Sequence, residues 1–87
     1  MTSPVSIVAY RAIPNLEERQ RRVLSCIAAY PDVSSNDISR IARMDVRNVR
    51  SRGGELLKAG KIYVSGKKVD RITGHTVRKY RVMGVEA

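Results

Sequence analysis

Apolar residues fall at Leu16, Val23, Leu24, Ile27 and Tyr30, while Glu18, Arg21 and Ser25 occupy the opposite side of a helical wheel. Such a stripe predicts an amphipathic helix of about four turns. Asn15 followed by Glu18 resembles a capping box at its start, and Pro31 stops it. Cys26 lies at the apolar edge, where a small buried hydrophobe is the expected role. Upstream, VSIVAYRAI (Val5–Ile13) is β-branched and apolar with no helical stripe, so it predicts a strand or an extended arm ended by Pro14.

The helical period resumes after VSSND (Val33–Asp37). Ser34 or Ser35 can accept the unpaired N–H groups of a helix start, and Asp37 suits the dipole there. Ile38, Ile41 and Ala42 make the inward stripe of a short helix of about two turns. Met44 then reads as an apolar plug and Asp45 as the cap of a third helix. With Val49 placed at zero on the wheel, Val46, Gly53, Leu56 and Leu57 lie within about 80° of it. Arg47, Ser51, Gly54 and Lys58 face the other way, flanked by Asn48 and Arg50.

After Gly60 the period changes to two. KIYVS sets Ile62 and Val64 on one side, and VRKYRV sets Tyr80 and Val82 on one side. SGKK and TGH between them carry turn chemistry, and VDRIT reads as a third short strand or part of a long hairpin tip. The expected architecture is therefore α+β: an N-terminal strand or arm over 1–13, a three-helix unit with a β-hairpin or small antiparallel sheet over 14–82, and a tail over 83–87.

Charge sharpens this outline. The 87 residues carry 17 Lys+Arg against 8 Asp+Glu, a net of +9. Residues 1–35 contribute +1 of it and residues 36–87 contribute +8. Folding does not call for such asymmetry, and self-repulsion opposes it; a polyanionic partner explains it. The order of helix, short helix, tight turn, helix and hairpin is that of a winged helix-turn-helix. Its third helix would enter the major groove of DNA. Arg47, Asn48, Arg50 and Ser51 stand where such a helix meets base edges; Arg pairs twofold with guanine and Asn with adenine. Ser35, Arg43, Arg52, Gly54, Lys58, Lys67, Lys68, Arg71 and His75 are the candidates for phosphate or wing contacts.

Gly53 and Gly54 interrupt the third helix at a cost of roughly 1 kcal/mol each. The wheel suggests that Gly53 lets this helix approach the others closely, and that Gly54 lets DNA approach the backbone. A kink or early helix end at this pair is the simpler alternative.

The segment SSNDISRIARMDVRNVRSRGGELLKAGKIYVSG resembles the helix-turn-helix and wing of the MarR-like winged-helix superfamily, particularly small winged-helix proteins of bacteriophages and prophages. Ser34, Ser35, Asp37 and Ile38 match the family's helix start, and Met44 takes the place of its turn leucine. Arg52, Glu55, Leu56, Gly60 and Ile62 match the next segments, and Thr73, Gly74 and Tyr80 the hairpin. The resemblance spans residues 16–82. Where the family has a turn glycine, this chain has Arg43, so either a positive φ there strains the backbone or the turn has a different form.

The resemblance implies a sequence-specific double-stranded DNA-binding protein, a small transcriptional regulator. The runner-up is a winged helix that binds RNA or acts as a protein–protein adaptor. An adaptor would expose apolar residues on the third helix, where this chain places Arg, Asn, Ser and Lys. A binder of single-stranded RNA would present stacking aromatics, for which only Tyr63 and Tyr10 are at hand. An enzyme is not expected: one His, one Cys, no paired carboxylates and no phosphate-cradling glycine motif leave no chemistry to assign. No cofactor, metal, membrane or small-molecule partner is expected, and a reducing, cytoplasmic setting suits the lone Cys26. For residues 1–13, a homodimerisation arm and a strand packed on its own domain stand as equal readings.

Overall fold

The structure is a computed structural model that describes residues 16–84. The arm over 1–13 and the proposed cap at Asn15 lie outside the described residues, as do residues 85–87. Three helices are followed by an antiparallel hairpin: α1 (Glu18–Ala29), α2 (Ser35–Ala42), α3 (Val46–Lys58), β1 (Ile62–Val69) and β2 (Thr76–Val82).

The capping box of α1 sits two residues beyond the expected one. Gln20, not Glu18, reaches back, its Oε1 accepting the Glu17 N–H at 3.1 Å. Val23, Leu24 and Ile27 are fully buried, whereas Tyr30 is 53% exposed, because the chain turns away at Pro31 before that side chain can pack. For α2, Ser34 is the cap: its Oγ accepts the Asp37 N–H and Asp37 Oδ2 accepts the Ser34 N–H, each at 3.1 Å. Only Ile38 of its apolar stripe is fully covered; Ile41 faces outward.

The link between α1 and α2 joins the sheet. Val33 forms a one-residue antiparallel bridge with Tyr80, the Tyr80 N–H donating to Val33 O at 2.9 Å. Asp32, at φ 71°, is the hub of this corner. It accepts the Ser65 hydroxyl at 2.6 Å and the Arg81 guanidinium at 2.8 and 2.9 Å. These bonds hold its carboxyl well below the usual carboxylate range.

The core is one cluster in which Val23, Leu24 and Ile27 of α1 meet Ile38, Met44, Val49, Leu56, Ile62 and Tyr80. Helix α3 runs unbroken through Gly53-Gly54 and ends where Gly60 takes φ 72°. Gly53 is buried as expected, yet an added Cβ there would meet nothing within 4 Å. Close helix approach therefore does not require glycine at 53.

The hairpin departs from the sequence pattern. Ser65-Gly66 is not a turn; it is a bulge inside one long strand, between the Val64↔Tyr80 and Gly66↔Lys79 pairs. The bulge moves Ser65 onto Asp32, and the strands continue to Val69↔Thr76. The tip is Asp70–His75, so VDRIT is not a third strand. Val64 is 39% exposed although its predicted companion Ile62 is buried.

Candidate nucleic-acid interface

The turn between α2 and α3 sets the angle of the third helix. Arg43 adopts φ 54°, ψ 48°, the left-handed conformation, so of the two expected forms the turn takes the strained one. Ser39 closes the turn, its hydroxyl donating to Met44 O at 2.6 Å and its carbonyl accepting the Met44 N–H at 3.2 Å. Met44 plugs the gap beneath. Asp45 caps α3 by accepting the Arg47 N–H at 2.8 Å.

On the outer face of α3, Arg47, Arg50, Ser51 and Lys58 are exposed, and Asn48 is half-buried at their edge. Among the described residues the side chains of Arg43, Arg47, Arg50 and Lys58 take no anionic partner. Arg52, a phosphate candidate in the sequence, differs in being paired within the chain. It points toward α1, with Nε 2.8 Å from Glu55 Oε1 and Nη1 3.8 Å from Glu17. Gln20 joins that network through Glu55 at 2.9 Å. Arg52 lies five positions beyond Arg47, a rotation of about 140° that carries it off the outer face.

Between α3 and the hairpin lies a cleft of about 320 Å³. Arg50 and Gly54 line it from α3, Ser35 and Asn36 from the start of α2, and Thr76 and Arg78 from β2. Gly54 thus faces an open space, where a Cβ would meet nothing within 4 Å. Arg78 and Asn36 were not singled out in the sequence. Arg78 shares strand parity with the buried Tyr80, a signal that turns it toward the helices. Its cross-strand partner is Lys67, so two cations oppose each other on one face of the hairpin.

The remaining wing candidates divide. Lys67, Arg71 and His75 are exposed. Lys68, also a phosphate candidate, serves as an internal tether, its Nζ bonded to Asp37 Oδ2 at the start of α2. Burial opposes ionisation of Asp37, but the bonds from Lys68 and Ser34 outweigh it and lower its pKa. Asp70, 2% exposed, accepts both terminal nitrogens of Arg40 at 2.9 Å and the Thr73 N–H at 2.9 Å. Its carboxyl is held well below the ordinary range, by Arg40 above all. Among the described residues there is no cluster of three or more metal-ligating side chains, and no helix is long and apolar enough to cross a membrane. Burial raises the pKa of the half-buried Cys26.

A three-helix unit whose last helix leads into an antiparallel hairpin, with Val33 bridging the sheet, is a winged helix-turn-helix. The fold is that of the MarR-like winged helix, as solved structures show. FabT of Streptococcus pneumoniae, solved in complex with DNA, matches with a TM-score of 0.67 at 17% identity over 92% of this chain and 55% of its own. PcaV of Streptomyces coelicolor, a transcriptional regulator solved with its natural ligand, matches with a TM-score of 0.64 at 15% identity over 92% of this chain and 55% of its own. A MarR protein from Peptoclostridium difficile matches with a TM-score of 0.62 at 19% identity over 91% of this chain and 49% of its own. This chain spans about half the length of these proteins. No family model and no curated protein matches the sequence. These matches bear on the fold and not on a bacteriophage source.

Proposed function

We propose that this chain is a non-enzymatic, sequence-reading binder of double-stranded DNA, a small transcriptional regulator. In this reading α3 lies in the major groove and the hairpin lies on the flanking backbone or minor groove. One observation carries the proposal. Lys67 and Arg78 are directly opposed across β1 and β2, and Arg50 lines the cleft that Arg78 also lines. Like charges in a direct cross-strand pair destabilise a sheet. Among the described residues none of these three has an anionic partner. A phosphodiester strand passing between α3 and the wing removes that conflict. FabT, with the same fold, was solved with DNA.

In this arrangement Arg47, Asn48, Arg50 and Ser51 read bases. Ser35, Arg43, Lys58, Lys67 and Arg78 anchor phosphates, and Gly54 leaves room for the backbone. Selection of bound sequences from random duplexes, followed by salt titration of the winner and a scrambled control, tests this. Affinity should fall steeply with salt, because each phosphate contact releases counterions. Arg47→Ala should lose about 1–3 kcal/mol on the selected site and much less on the control. Lys67→Ala should weaken both alike and reduce the salt slope by about one. Salt-independent binding, or preference for single-stranded RNA, would overturn the proposal.

A further inference from the structure

The hairpin tip combines a rigid frame with an apolar point. Ile72 is 74% exposed, the most exposed large hydrophobic side chain among the described residues. A mobile tip would give that no meaning, but this tip is closely determined. The Asp70 N–H donates to His75 O at 2.8 Å, and the Gly74 N–H to Asp70 O at 2.8 Å. The Thr73 N–H donates to Asp70 Oδ2, and the His75 N–H to Thr73 Oγ1 at 3.3 Å. Gly74, at φ 75°, lets the chain turn back. Arg40 then locks Asp70, so Ile72 is presented at a fixed place relative to α2.

From this geometry we infer that Ile72 is an apolar wedge that the wing inserts into the minor groove of the bound duplex. The inference rests on the duplex-binding reading and specifies what the tip does there. The choice of occupant follows from the surroundings. Arg71 adjoins Ile72, Lys67 and Arg78 lie further down the hairpin, and the tip's single acid, Asp70, is buried and paired. That is a cationic rim around an apolar point, which fits a groove whose edges are phosphates and whose walls are sugar C–H groups. A protein partner fits poorly. Ile72 and Val69 are the exposed apolar residues near the tip, far less than the about 800 Å² per side that a stable protein interface needs. In DNA the phosphate contacts supply affinity, and one inserted aliphatic side chain suffices to press on a base step and bend the duplex.

The test uses the full chain and an end-labelled duplex of about 30 base pairs, with affinity read by anisotropy and bending by energy transfer between the ends. Ile72→Ala should weaken binding about tenfold, through lost apolar burial. Its salt slope should stay unchanged, because no counterion is involved. The bend should shrink in Ile72→Ala and persist in Ile72→Leu. Both side chains are exposed, so circular dichroism and melting should match the parent. Affinity and bend both unchanged in Ile72→Ala would overturn the inference. So would a salt slope that falls with affinity, or a change in sedimentation with no change in binding, which would make Ile72 a protein contact. If the parent chain binds no duplex at low salt, the broader reading fails first and the wedge falls with it.

Discussion

Arg40 of α2 grips Asp70 at the root of the hairpin tip through two parallel hydrogen bonds, each 2.9 Å long. The partners are thirty positions apart in sequence, and the bond joins the helix-turn-helix to the wing. Asp70 is 2% exposed, so its charge depends on that partner. The nearby Lys68–Asp37 pair ties the same two elements together. A two-stranded hairpin is marginal in isolation, and these tethers give it a set orientation.

Breaking the grip should free the tip while leaving the helices intact. Arg40→Ala or Asp70→Asn is expected to accelerate amide hydrogen exchange at Thr73 and Gly74, whose N–H groups bond to Asp70. The amides of α1 and α3 should keep their protection, since the core does not use either residue. Duplex affinity should fall as the tip loses its orientation. Unchanged exchange at the tip would show that the local turn bonds hold it without Arg40.

Acid should loosen the wing before the core. Asp32, Asp37 and Asp70 all have pKa values lowered in the folded chain. A lowered carboxyl contributes stability that is fully present above its unfolded value of about 3.9 and is lost as pH falls toward the folded value. Thermal stability should therefore be level from about pH 8 to about pH 5 as far as these groups are concerned, and decline below about pH 4. Asp70→Asn should be less stable at neutral pH and show a shallower acid decline. An equally steep decline in Asp70→Asn would assign the acid sensitivity to other groups.

How far the sequence reveals this molecule depends on the range of each interaction. The helices, the Met44 plug and the Asp45 cap were legible because periodicity and capping are local, whereas the left-handed Arg43 was only one of two forms that the family resemblance left open. The hairpin was misread at Ser65-Gly66, because its turn-like composition serves a bulge that only the distant Asp32 explains. Arg52 and Lys68 were placed by their positions on the third helix and the wing; Arg52 pairs with its helical neighbour Glu55 and more loosely with the distant Glu17, and Lys68 pairs with the distant Asp37, which no local pattern names. The grip on Asp70 had one local sign. An Asp three residues before Thr-Gly is fit to accept the turn N–H groups, but nothing local names Arg40 as its partner.

Arg43 separates stability from binding. A non-glycine residue in the left-handed region is strained by roughly 1–2 kcal/mol. Arg43→Gly relieves that strain but enlarges the conformational freedom of the unfolded chain, so a net gain of about 1 kcal/mol is expected. The exposed guanidinium is also lost, so duplex affinity should drop and the salt slope should fall by about one. Denaturant titration and anisotropy on the same variant read both effects. A variant that is more stable and binds as well as the parent would remove Arg43 from the interface.

The paired glycines of α3 give the sharpest contrast between folding and binding. Both sit inside a continuous helix, where glycine is less favourable than alanine by roughly 1 kcal/mol. A Cβ at either position would meet nothing within 4 Å. Gly53→Ala and Gly54→Ala should therefore each raise stability by up to about 1 kcal/mol, measured by denaturant unfolding. The two positions diverge with a larger side chain. Gly53 is buried with room for a Cβ, so it is the three further carbons of leucine that should overfill the site and lower the melting temperature. Gly54 opens on the cleft between Arg50 and Arg78, so leucine there should fold well and fill space that a DNA strand needs. Gly54→Leu should thus melt at or above the parent's temperature yet lose duplex affinity on every sequence, since the obstruction is to backbone and not to bases. Normal binding by Gly54→Leu would mean that the cleft stays empty in the complex and that no phosphodiester passes between α3 and the wing.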